Sequence, residues 1–274
     1  MLLVKAAVLG SPVAHSLSPV LHNAAYLALG LDHTYNSIEV AESELKAFLS
    51  EIDTDWLGVS LTMPLKEVAF DFVDVCDDLA TQTGAINTLV FANGISAFNT
   101  DVFGIVDALT EVEVGQISSG VIFGSGATAR SSLVSLQHLG ASSVTCVARN
   151  EADIQRMAQV ASGIGVEFKS ASINESEWLT AEVVINTTPQ GALDEIAHNV
   201  FKPVGLLLDV VYNPWPTQLA ASWAVNGGTI VSGLSMLLHQ AGHQVTLMTG
   251  QPSPITQMRQ ALNVELLSRG LSTI

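Results

Sequence analysis

Basic side chains are scarce in this sequence. Lysine and arginine together number 10, against 26 aspartates and glutamates in 274 residues, and the formal net charge is −16. Nucleic acids and anionic membrane surfaces are bound through basic surfaces, so we expect neither as a partner. Any small anionic ligand must be held by a few local cations. Lys66, Arg130 and Arg149 are the basic residues that fall within the motifs described below.

Cysteines and long apolar runs are also few. Cys76 and Cys146 are the 2 cysteines; they lack metal-ligand spacing, and we expect buried thiols rather than a disulfide or a metal site. Residues 210–258 form the longest stretch without Asp, Glu, Lys or Arg, but polar residues, Gly and Pro interrupt it throughout. It therefore lacks the roughly 18 apolar residues of a membrane span. The N-terminus does not have a signal-peptide pattern, so we expect a cytoplasmic protein.

Aromatic residues make up 6% of the chain and hydrophobic residues 48%. A core of Ala, Val and Leu is typical of parallel strands covered by helices. Short apolar runs alternate with helical patterns along most of the chain, which predicts an α/β protein of two domains. Asn93-Gly94 between alternating runs predicts a hairpin. Two helical patterns, residues 234–248 and 255–269, end the alternation, and we expect them to pack on the N-terminal domain.

A glycine turn between two apolar runs organises the middle of the chain. An apolar run at residues 120–123 leads into Gly124 and Gly126, a helical pattern follows as far as Gly140, and residues 143–148 form a second run. In a β-α-β unit, Gly124 permits the tight turn and Gly126 lets the backbone approach a pyrophosphate at the helix N-terminus. Ala129 replaces the third glycine of the dinucleotide fingerprint, so a methyltransferase or flavin enzyme stays open as an alternative.

The residue after the second run indicates which cofactor is bound. NAD sites place an acidic residue there for the ribose 2′-hydroxyl, whereas this chain has Arg149, with Arg130 on the helix nearby. A guanidinium suits the 2′-phosphate of NADP. Glu151 and Asp153 would repel that phosphate. The sequence predicts NADP, with NAD as the alternative.

A lysine and a carboxylate are the first candidates for acid–base chemistry. Lys66 follows a predicted strand, residues 56–62, and Pro64, which suits the first position of a helix. Open α/β sheets bind ligands at that end of their strands. Opposite Asp101, Lys66 could exchange a proton with an alcohol oxygen while hydride leaves the carbon. An ordinary ion pair, or two unrelated charges, is the alternative.

Other polar residues suit a hydroxylated acid. Ser16 and Ser18 are two residues apart, so in an extended segment both hydroxyls would face one side and could donate to one carboxylate. A loop serine followed by a helix N-cap at Ser18 is the alternative. Thr62 and Asn87 are candidate ligands for hydroxyl groups, or else turn residues.

Eight short segments occur in the order found in one enzyme family. They are GSPVAHSLSP at 10–19, SLTMPLK at 60–66, GAINT at 84–88, NTD at 99–101, GSG at 124–126, NTTPQG at 186–191, DVVY at 209–212 and GLSM at 233–236. With them the chain resembles the shikimate dehydrogenases along nearly its whole length. These NADP-dependent enzymes reduce 3-dehydroshikimate to shikimate in the biosynthesis of chorismate and the aromatic amino acids.

The resemblance implies a role for each candidate residue. Ser16 and Ser18 would hold the substrate carboxylate, and Lys66 would give and take the proton at the reacting oxygen. The ring hydroxyls would be surrounded by Thr62, Asn87, Asp101, Tyr212 and Gln240. The cofactor would be held by Asp78, Gly124, Ser125, Gly126, Ala127, Thr128, Ala129 and Arg149, with Thr187, Val210 and Gly233 on the nicotinamide side.

The resemblance also implies two domains. Residues 1–102 with 234–274 would form an α/β substrate domain, and residues 103–233 a Rossmann-like NADP-binding domain, with a cleft between them that closes on the ligands. The implied assembly is a monomer or a homodimer acting on shikimate and 3-dehydroshikimate.

The chain departs from the family pattern at a few positions. Ser60 stands where Asn is common, Ala127 where a second consecutive Gly is common, and Asp153 where a second basic residue is frequent. An NAD-dependent quinate/shikimate dehydrogenase is therefore an alternative. A non-catalytic ligand-binding paralogue is a further one, although it would be expected to have lost Lys66 or Asp101.

Overall fold

The computed structural model describes residues 4–173 and 176–274. The chain divides into two compact units, Met1–Thr100 with Leu237–Ile274 (unit 1) and Asp101–Met236 (unit 2). Each unit contains a six-stranded sheet with helices. The expected α/β fold class is confirmed.

Unit 1 is built on a mixed sheet. Its strands are β1 (Val4–Gly10), β2 (His33–Glu39), β3 (Trp56–Leu61), β4 (Val75–Cys76), β5 (Thr88–Phe91) and β6 (Ile95–Phe98), and their order in the sheet is β2-β1-β3-β5-β6-β4. Strands β1, β2 and β3 are parallel, and β5 runs antiparallel to both β3 and β6. The β5–β6 pair confirms the predicted hairpin, with Gly94 at a φ of +101°.

The helices of unit 1 include four short ones and two long C-terminal ones. They are α1 (Ser18–Ala28), α2 (Leu45–Ser50), α3 (Leu65–Val68), α4 (Asp78–Thr83), α11 (Ile255–Ser268) and the greater part of α10 (Gly233–Thr249). Short 3₁₀ helices, Glu42–Glu44 and Ala69–Phe72, precede α2 and follow α3. Helix α11 packs against α1. Within the described residues, no helix is long and apolar enough to span a bilayer.

Unit 2 has a parallel sheet with helices. Its strands are β7 (Ser119–Phe123), β8 (Ser143–Val147), β9 (Glu167–Ala171), β10 (Val183–Asn186), β11 (Leu206–Asp209) and β12 (Thr229–Ser232). Its helices are α5 (Asp101–Thr110), α6 (Ala127–His138), α7 (Glu151–Gly163), α8 (Asp194–Ala197), α9 (Gln218–Val225), the start of α10 and a 3₁₀ turn, Ser176–Thr180.

The strand order of unit 2 fixes where its ligand crevice lies. The order β12-β11-β10-β7-β8-β9 is the doubly wound Rossmann arrangement, with the chain reversing direction across the sheet between β7 and β10. Successive residues of each strand face opposite cores: Val183 and Ile185 belong to one cluster, and Val184 belongs to the other. Because both faces are covered, the exposed end of the sheet at the β7–β10 switch point is the place for a ligand.

Several local expectations are corrected by the structure. Helix α1 has Leu17 as its N-cap, so Ser18 is its first residue and not the cap. Pro64 is the N-cap of α3, one position before the predicted one, which still leaves Lys66 in the first turn. Cys146 is buried, but Cys76 is only half-buried.

Candidate active site

The turn after β7 has the geometry of a phosphate-binding loop. Gly124 lies at a φ of +105°, a conformation that an L side chain rarely adopts, and its N–H donates to Val147 O at 2.9 Å. A side chain at Gly124 would collide with Thr187 Oγ1. Gly126 is the N-cap of α6 without a side-chain cap, and a Cβ built on it meets none of the described residues within 4 Å. A ligand can therefore approach the backbone at Gly126 closely, and the N–H groups that begin a helix suit an anion.

A cavity of about 730 Å³ adjoins this turn. It lies at the carboxyl ends of β7 and β8 and beside the segment that follows β10, so it occupies the switch point of the sheet. Its lining is Phe123, Gly124, Ser125, Val147, Ala148, Arg149, Asn150, Ser172, Ile173, Thr188, Pro189, Ala192, Leu193 and Glu195. The structure thus brings the glycine turn and Arg149 to one cavity. Apolar walls, backbone N–H groups and one guanidinium fit the adenosine and phosphates of NADP.

Arg130 has a different position from the one its place in the sequence suggested. Its side chain is only 3% exposed, and it does not line the cavity. Ala129 is fully buried in the core that contains Ile122 and Leu133, so its side chain serves the packing of α6 on the sheet. Of the two arginines considered for the 2′-phosphate, Arg149 is the one at the cavity.

The segments after β10 and β11 are joined by a buried carboxylate. Asp209 Oδ1 accepts hydrogen bonds from Asn186 Nδ2 at 2.9 Å and from Val211 N at 3.1 Å, and Oδ2 accepts one from Thr217 Oγ1 at 2.7 Å. Burial is the main cause that raises the pKa of Asp209 above its usual value; the hydrogen bonds oppose it. Asn186 Oδ1 in turn accepts from Thr188 N at 3.0 Å.

The residues expected beside the nicotinamide follow three neighbouring strands: Thr187 follows β10, Val210 follows β11, and Gly233 follows β12. Thr187 is fixed through its N–H and its hydroxyl, which both donate to Phe123 O at 2.8 Å. Gly233 lies so close to the Val210 backbone that any Cβ would collide with it. The structure therefore places Thr187 next to Gly124 and Val210 next to Gly233.

The two serines do not lie on an extended segment. Leu17 between them has helical dihedral angles, and Ser18 is a buried residue of α1. Ser16 Oγ accepts from Ser18 N at 3.2 Å. The expected reason for pairing, alternation along an extended chain, is wrong. The Ser16 hydroxyl and the Ser18 N–H are neighbours because the chain turns into α1 between the two residues.

Asn87 and Gln240 are brought together from distant parts of the chain. Both are buried, and 3.5 Å separates Asn87 Nδ2 from Gln240 Oε1. Gln240 Nε2 donates to Leu237 O at 2.9 Å, which orients its side chain on α10. Thr62 follows β3, and its N–H donates to Leu9 O at 2.9 Å. Lys66 O accepts from Ile86 N at 2.8 Å, so α3 is tied to the segment before Asn87.

The remaining candidates lie in different units. Asp78 is an exposed residue at the start of α4 in unit 1. Asp101 is a buried residue at the start of α5, and Tyr212 follows β11; both belong to unit 2.

Some residues of the cavity and its surroundings were given no role by the sequence. Glu195 and Ile173 line the cavity but lie outside any motif. Asp209 lies in a recognised segment, yet no function was assigned to it. An ionisable residue that ends an otherwise apolar strand, Leu206–Asp209, is the signal that points to it.

Comparison with known proteins agrees with the resemblance seen in the motifs. Residues 8–89 match the family described as "Shikimate dehydrogenase substrate binding domain", and residues 233–262 match "Shikimate 5'-dehydrogenase C-terminal domain". A protein named shikimate dehydrogenase (NADP(+)) from Methanothermobacter thermautotrophicus is 33% identical, and the alignment covers 93% of this chain and 94% of that protein.

Solved structures give the same result. The crystal structure of shikimate dehydrogenase from Mycobacterium tuberculosis is 40% identical, with a TM-score of 0.88 over 95% of this chain and 99% of that one. Shikimate 5-dehydrogenase from Thermus thermophilus, solved in complex with NADP(H) and shikimate, is 29% identical, with a TM-score of 0.84 over 96% of this chain and 99% of that one.

Proposed function

Because the chain belongs to the shikimate dehydrogenase family, we propose that it catalyses the reversible NADPH-dependent reduction of 3-dehydroshikimate to shikimate. The observation that carries the proposal is the cavity at the switch point of unit 2, where Gly124, Ser125 and Arg149 meet. Lys66 and Asp101, the pair expected for proton transfer, are both present.

The cofactor site is proposed to lie in unit 2. The backbone of Gly124–Ala129 and the start of α6 would hold the pyrophosphate, since the N–H groups of the first turn have no partner within the helix. Arg149 would bind the 2′-phosphate with its planar guanidinium. Thr187, Val210 and Gly233 would line the nicotinamide side. NADP supplies, when bound, the ring carbon that takes or gives the hydride.

The substrate site is proposed from the residues that the family motifs indicate. Ser16 and Ser18 would donate hydrogen bonds to the carboxylate of shikimate. Thr62, Asn87, Asp101, Tyr212 and Gln240 would bind the ring hydroxyls. Asp78 would lie at the edge of the cofactor site.

Lys66 is proposed as the group that moves the proton. When the ring alcohol is oxidised, Lys66 Nζ would accept the proton of the hydroxyl oxygen as hydride leaves the ring carbon. In the reverse reaction Lys66 returns that proton to the carbonyl oxygen as hydride arrives. Asp101 would orient and charge-balance Lys66. Proton transfer by a positioned side chain contributes about 10²–10⁴-fold to the rate.

Initial rates of oxidation test the proposal. Shikimate and quinate are each supplied with NADP and with NAD, and the absorbance of the reduced nicotinamide is followed. We expect shikimate with NADP to give by far the highest kcat/KM. Comparable rates with quinate and NAD would assign the protein to the quinate/shikimate branch. Binding without turnover of any pair would indicate a ligand-binding paralogue.

A further inference from the structure

Gln244 lies at the centre of a buried polar cluster in unit 1. Its side chain is on α10 and is only 1% exposed. On one side, Gln244 Oε1 lies 2.8 Å from Ser60 Oγ and 3.1 Å from His22 Nε2. On the other side, Gln244 Nε2 lies 3.0 Å from Thr88 Oγ1 and 3.3 Å from Asn87 O. None of the sequence motifs gave Gln244 a role.

Two backbone groups fix the direction of the hydrogen bonds in this cluster. Thr100 N–H can only donate, and it lies 2.8 Å from the Asn87 side chain, so the atom facing it is Asn87 Oδ1. The backbone carbonyl of Asn87 can only accept, so the Gln244 atom facing it is Nε2. Both amide orientations therefore follow from main-chain chemistry.

The hydroxyl of Thr88 connects the two amides. It lies 2.7 Å from Asn87 Oδ1, an acceptor, and must donate to it. Its own lone pair then accepts from Gln244 Nε2 at 3.0 Å. Gln244 thus holds Thr88 in the rotamer that donates to Asn87.

The hydrogen bonds at the Ser60 and His22 end of the cluster also have fixed donors and acceptors. Since Gln244 Oε1 is an acceptor, Ser60 donates to it at 2.8 Å, and Tyr35 O–H donates to Ser60 Oγ at 2.6 Å. His22, which stacks on Tyr35 with 3.9 Å between ring centroids, must donate through Nε2. Its imidazole therefore carries the proton on Nε2. Burial lowers the pKa of His22 to about 3, which keeps that ring neutral.

The consequence for Asn87 is that its oxygen is occupied within the protein. Asn87 Oδ1 accepts from Thr88 Oγ1 and from Thr100 N, and Nδ2 faces Thr100 Oγ1 at 2.9 Å and Gln240 Oε1 at 3.5 Å. The longest of these contacts is the one between Asn87 Nδ2 and Gln240 Oε1 at 3.5 Å, so the N–H that faces Gln240 is the one that a substrate hydroxyl can take over. An N–H donates to the oxygen of a hydroxyl group and not to a donor at the same position.

We propose that Gln244 is a positioning residue that acts through Thr88 to fix the orientation of the Asn87 carboxamide in the substrate site. This inference rests on the proposed function, which makes Asn87 a substrate ligand. The position requires glutamine because the side chain must donate to Thr88 with one atom and accept from Ser60 and His22 with the other.

Gln244→Met tests the proposal, because methionine has a similar length and cannot donate to Thr88. Loss of one hydrogen bond of ordinary strength predicts a KM for shikimate that rises about three- to tenfold. The KM for NADP should stay within about twofold of wild type. Gln257→Met, the same change at an exposed position of α11, is the matched control and should leave both constants unchanged. An unchanged KM for shikimate in folded Gln244→Met would overturn the proposal.

A double-mutant cycle separates positioning from general destabilisation. If Gln244 acts through Asn87, adding Gln244→Met to Asn87→Ala should not raise the KM for shikimate further. Additive effects would mean that Gln244 acts by another route. Thr88→Ser retains the hydroxyl and should bind shikimate like wild type, whereas Thr88→Val should show the same rise in KM as Gln244→Met. This pair keeps the test available if Gln244→Met does not fold.

The hydrogen-bond directions are testable without turnover. Nitrogen-15 NMR of the wild-type protein should show His22 protonated on Nε2 and bare on Nδ1. The opposite tautomer would overturn the ordered cluster even if the enzyme oxidises shikimate. Failure of wild type to bind or oxidise shikimate, with the expected tautomer observed, would instead overturn the proposed function and with it the role given to Asn87.

Discussion

Asp153 and Arg156 form an ion pair one turn apart on α7, with 3.3 Å between Asp153 Oδ1 and Arg156 Nη1. Asp153 and Glu151 are the residues whose charges oppose the 2′-phosphate of NADP, because both follow Arg149 closely in the chain. Asn150 caps the helix by accepting from Ala152 N and Asp153 N, at 3.0 and 3.3 Å, so the start of α7 is held in place. Arg156 offsets part of the negative charge at the beginning of this helix.

Removal of Arg156 is expected to weaken NADP binding and leave NAD binding unchanged. Arg156→Ala should raise the KM for NADP about two- to threefold, since exposed ion pairs contribute modestly. Arg269→Ala, which removes another exposed ion pair within a helix, is the control.

Arg149→Ala should raise the KM for NADP more than Arg156→Ala does, by about tenfold or more, and the effect should again be specific for NADP. Equal effects of Arg149→Ala on both cofactors would contradict the 2′-phosphate assignment.

Lys66 is expected to affect turnover much more than binding. Lys66→Ala should lower kcat by about 10²–10⁴-fold, while the dissociation constant for shikimate changes little. Stopped-flow single turnovers and fluorescence titration measure the two quantities. Lys46→Ala, at an exposed position of α2, is the matched control. A kcat within twofold of wild type would show that Lys66 is not the proton-transfer group.

The two glycines of the turn after β7 are expected to respond differently. Gly124→Ala forces a side chain into a positive-φ conformation and against Thr187, so it should lower Tm and impair NADP binding. Gly126→Ala meets only open space, so Tm without ligand should be unchanged.

The methyl group of Gly126→Ala would enter the space proposed for the pyrophosphate. The rise in Tm that added NADP produces should therefore be smaller in this variant than in wild type. Gly163→Ala also meets open space, at the end of α7, and is the control. Full stabilisation of Gly126→Ala by NADP would place the pyrophosphate elsewhere.

The raised pKa of Asp209 predicts a pH-dependent stability. A carboxyl whose pKa is raised by folding favours the folded state below its unfolded pKa, and that contribution is lost as pH rises through the folded pKa. Asp209→Asn lacks this titration. The difference in urea midpoint, variant minus wild type, should therefore increase as pH rises from about 4 toward neutrality.

Asparagine can keep the contacts of Asp209, because its oxygen can accept from Asn186 and Val211 while its N–H₂ faces the rotatable hydroxyl of Thr217. Asp32→Asn, at an exposed position, controls for the loss of one charge. A difference in urea midpoint between Asp209→Asn and wild type that does not change with pH would refute the raised pKa of Asp209.

The sequence was sufficient to predict features that depend on residues close together in the chain. The β5–β6 hairpin follows from Asn93-Gly94 between two alternating runs, and the turn at Gly124 follows from glycine between a buried strand and a helical pattern. Backbone conformational preference and hydrophobic period are local properties, which is why both were readable. The family was also evident, because eight short motifs occur in a fixed order, and NADP was predicted from Arg149 with NAD as the alternative.

Local patterns failed where burial or a turn depends on the rest of the chain. Arg130 was grouped with the phosphate ligands because it follows a glycine turn, yet its side chain is buried and does not line the cavity. The pairing of Ser16 and Ser18 was expected from alternation along an extended segment, whereas a helical residue lies between them. No spacing rule distinguishes these outcomes, since they are set by how α6 and α1 pack.

The sequence by itself determined the α/β elements, the glycine turn, the cation at the end of β8 and the family. The tertiary structure decided which distant groups meet: Gln244 lies 157 residues from Asn87 along the chain, and Asp209 lies 23 residues from Asn186. Their pairings arise when sheet order and helix packing remove polar groups from water. Each such group must then find a hydrogen-bond partner among whatever residues the fold brings within about 3 Å.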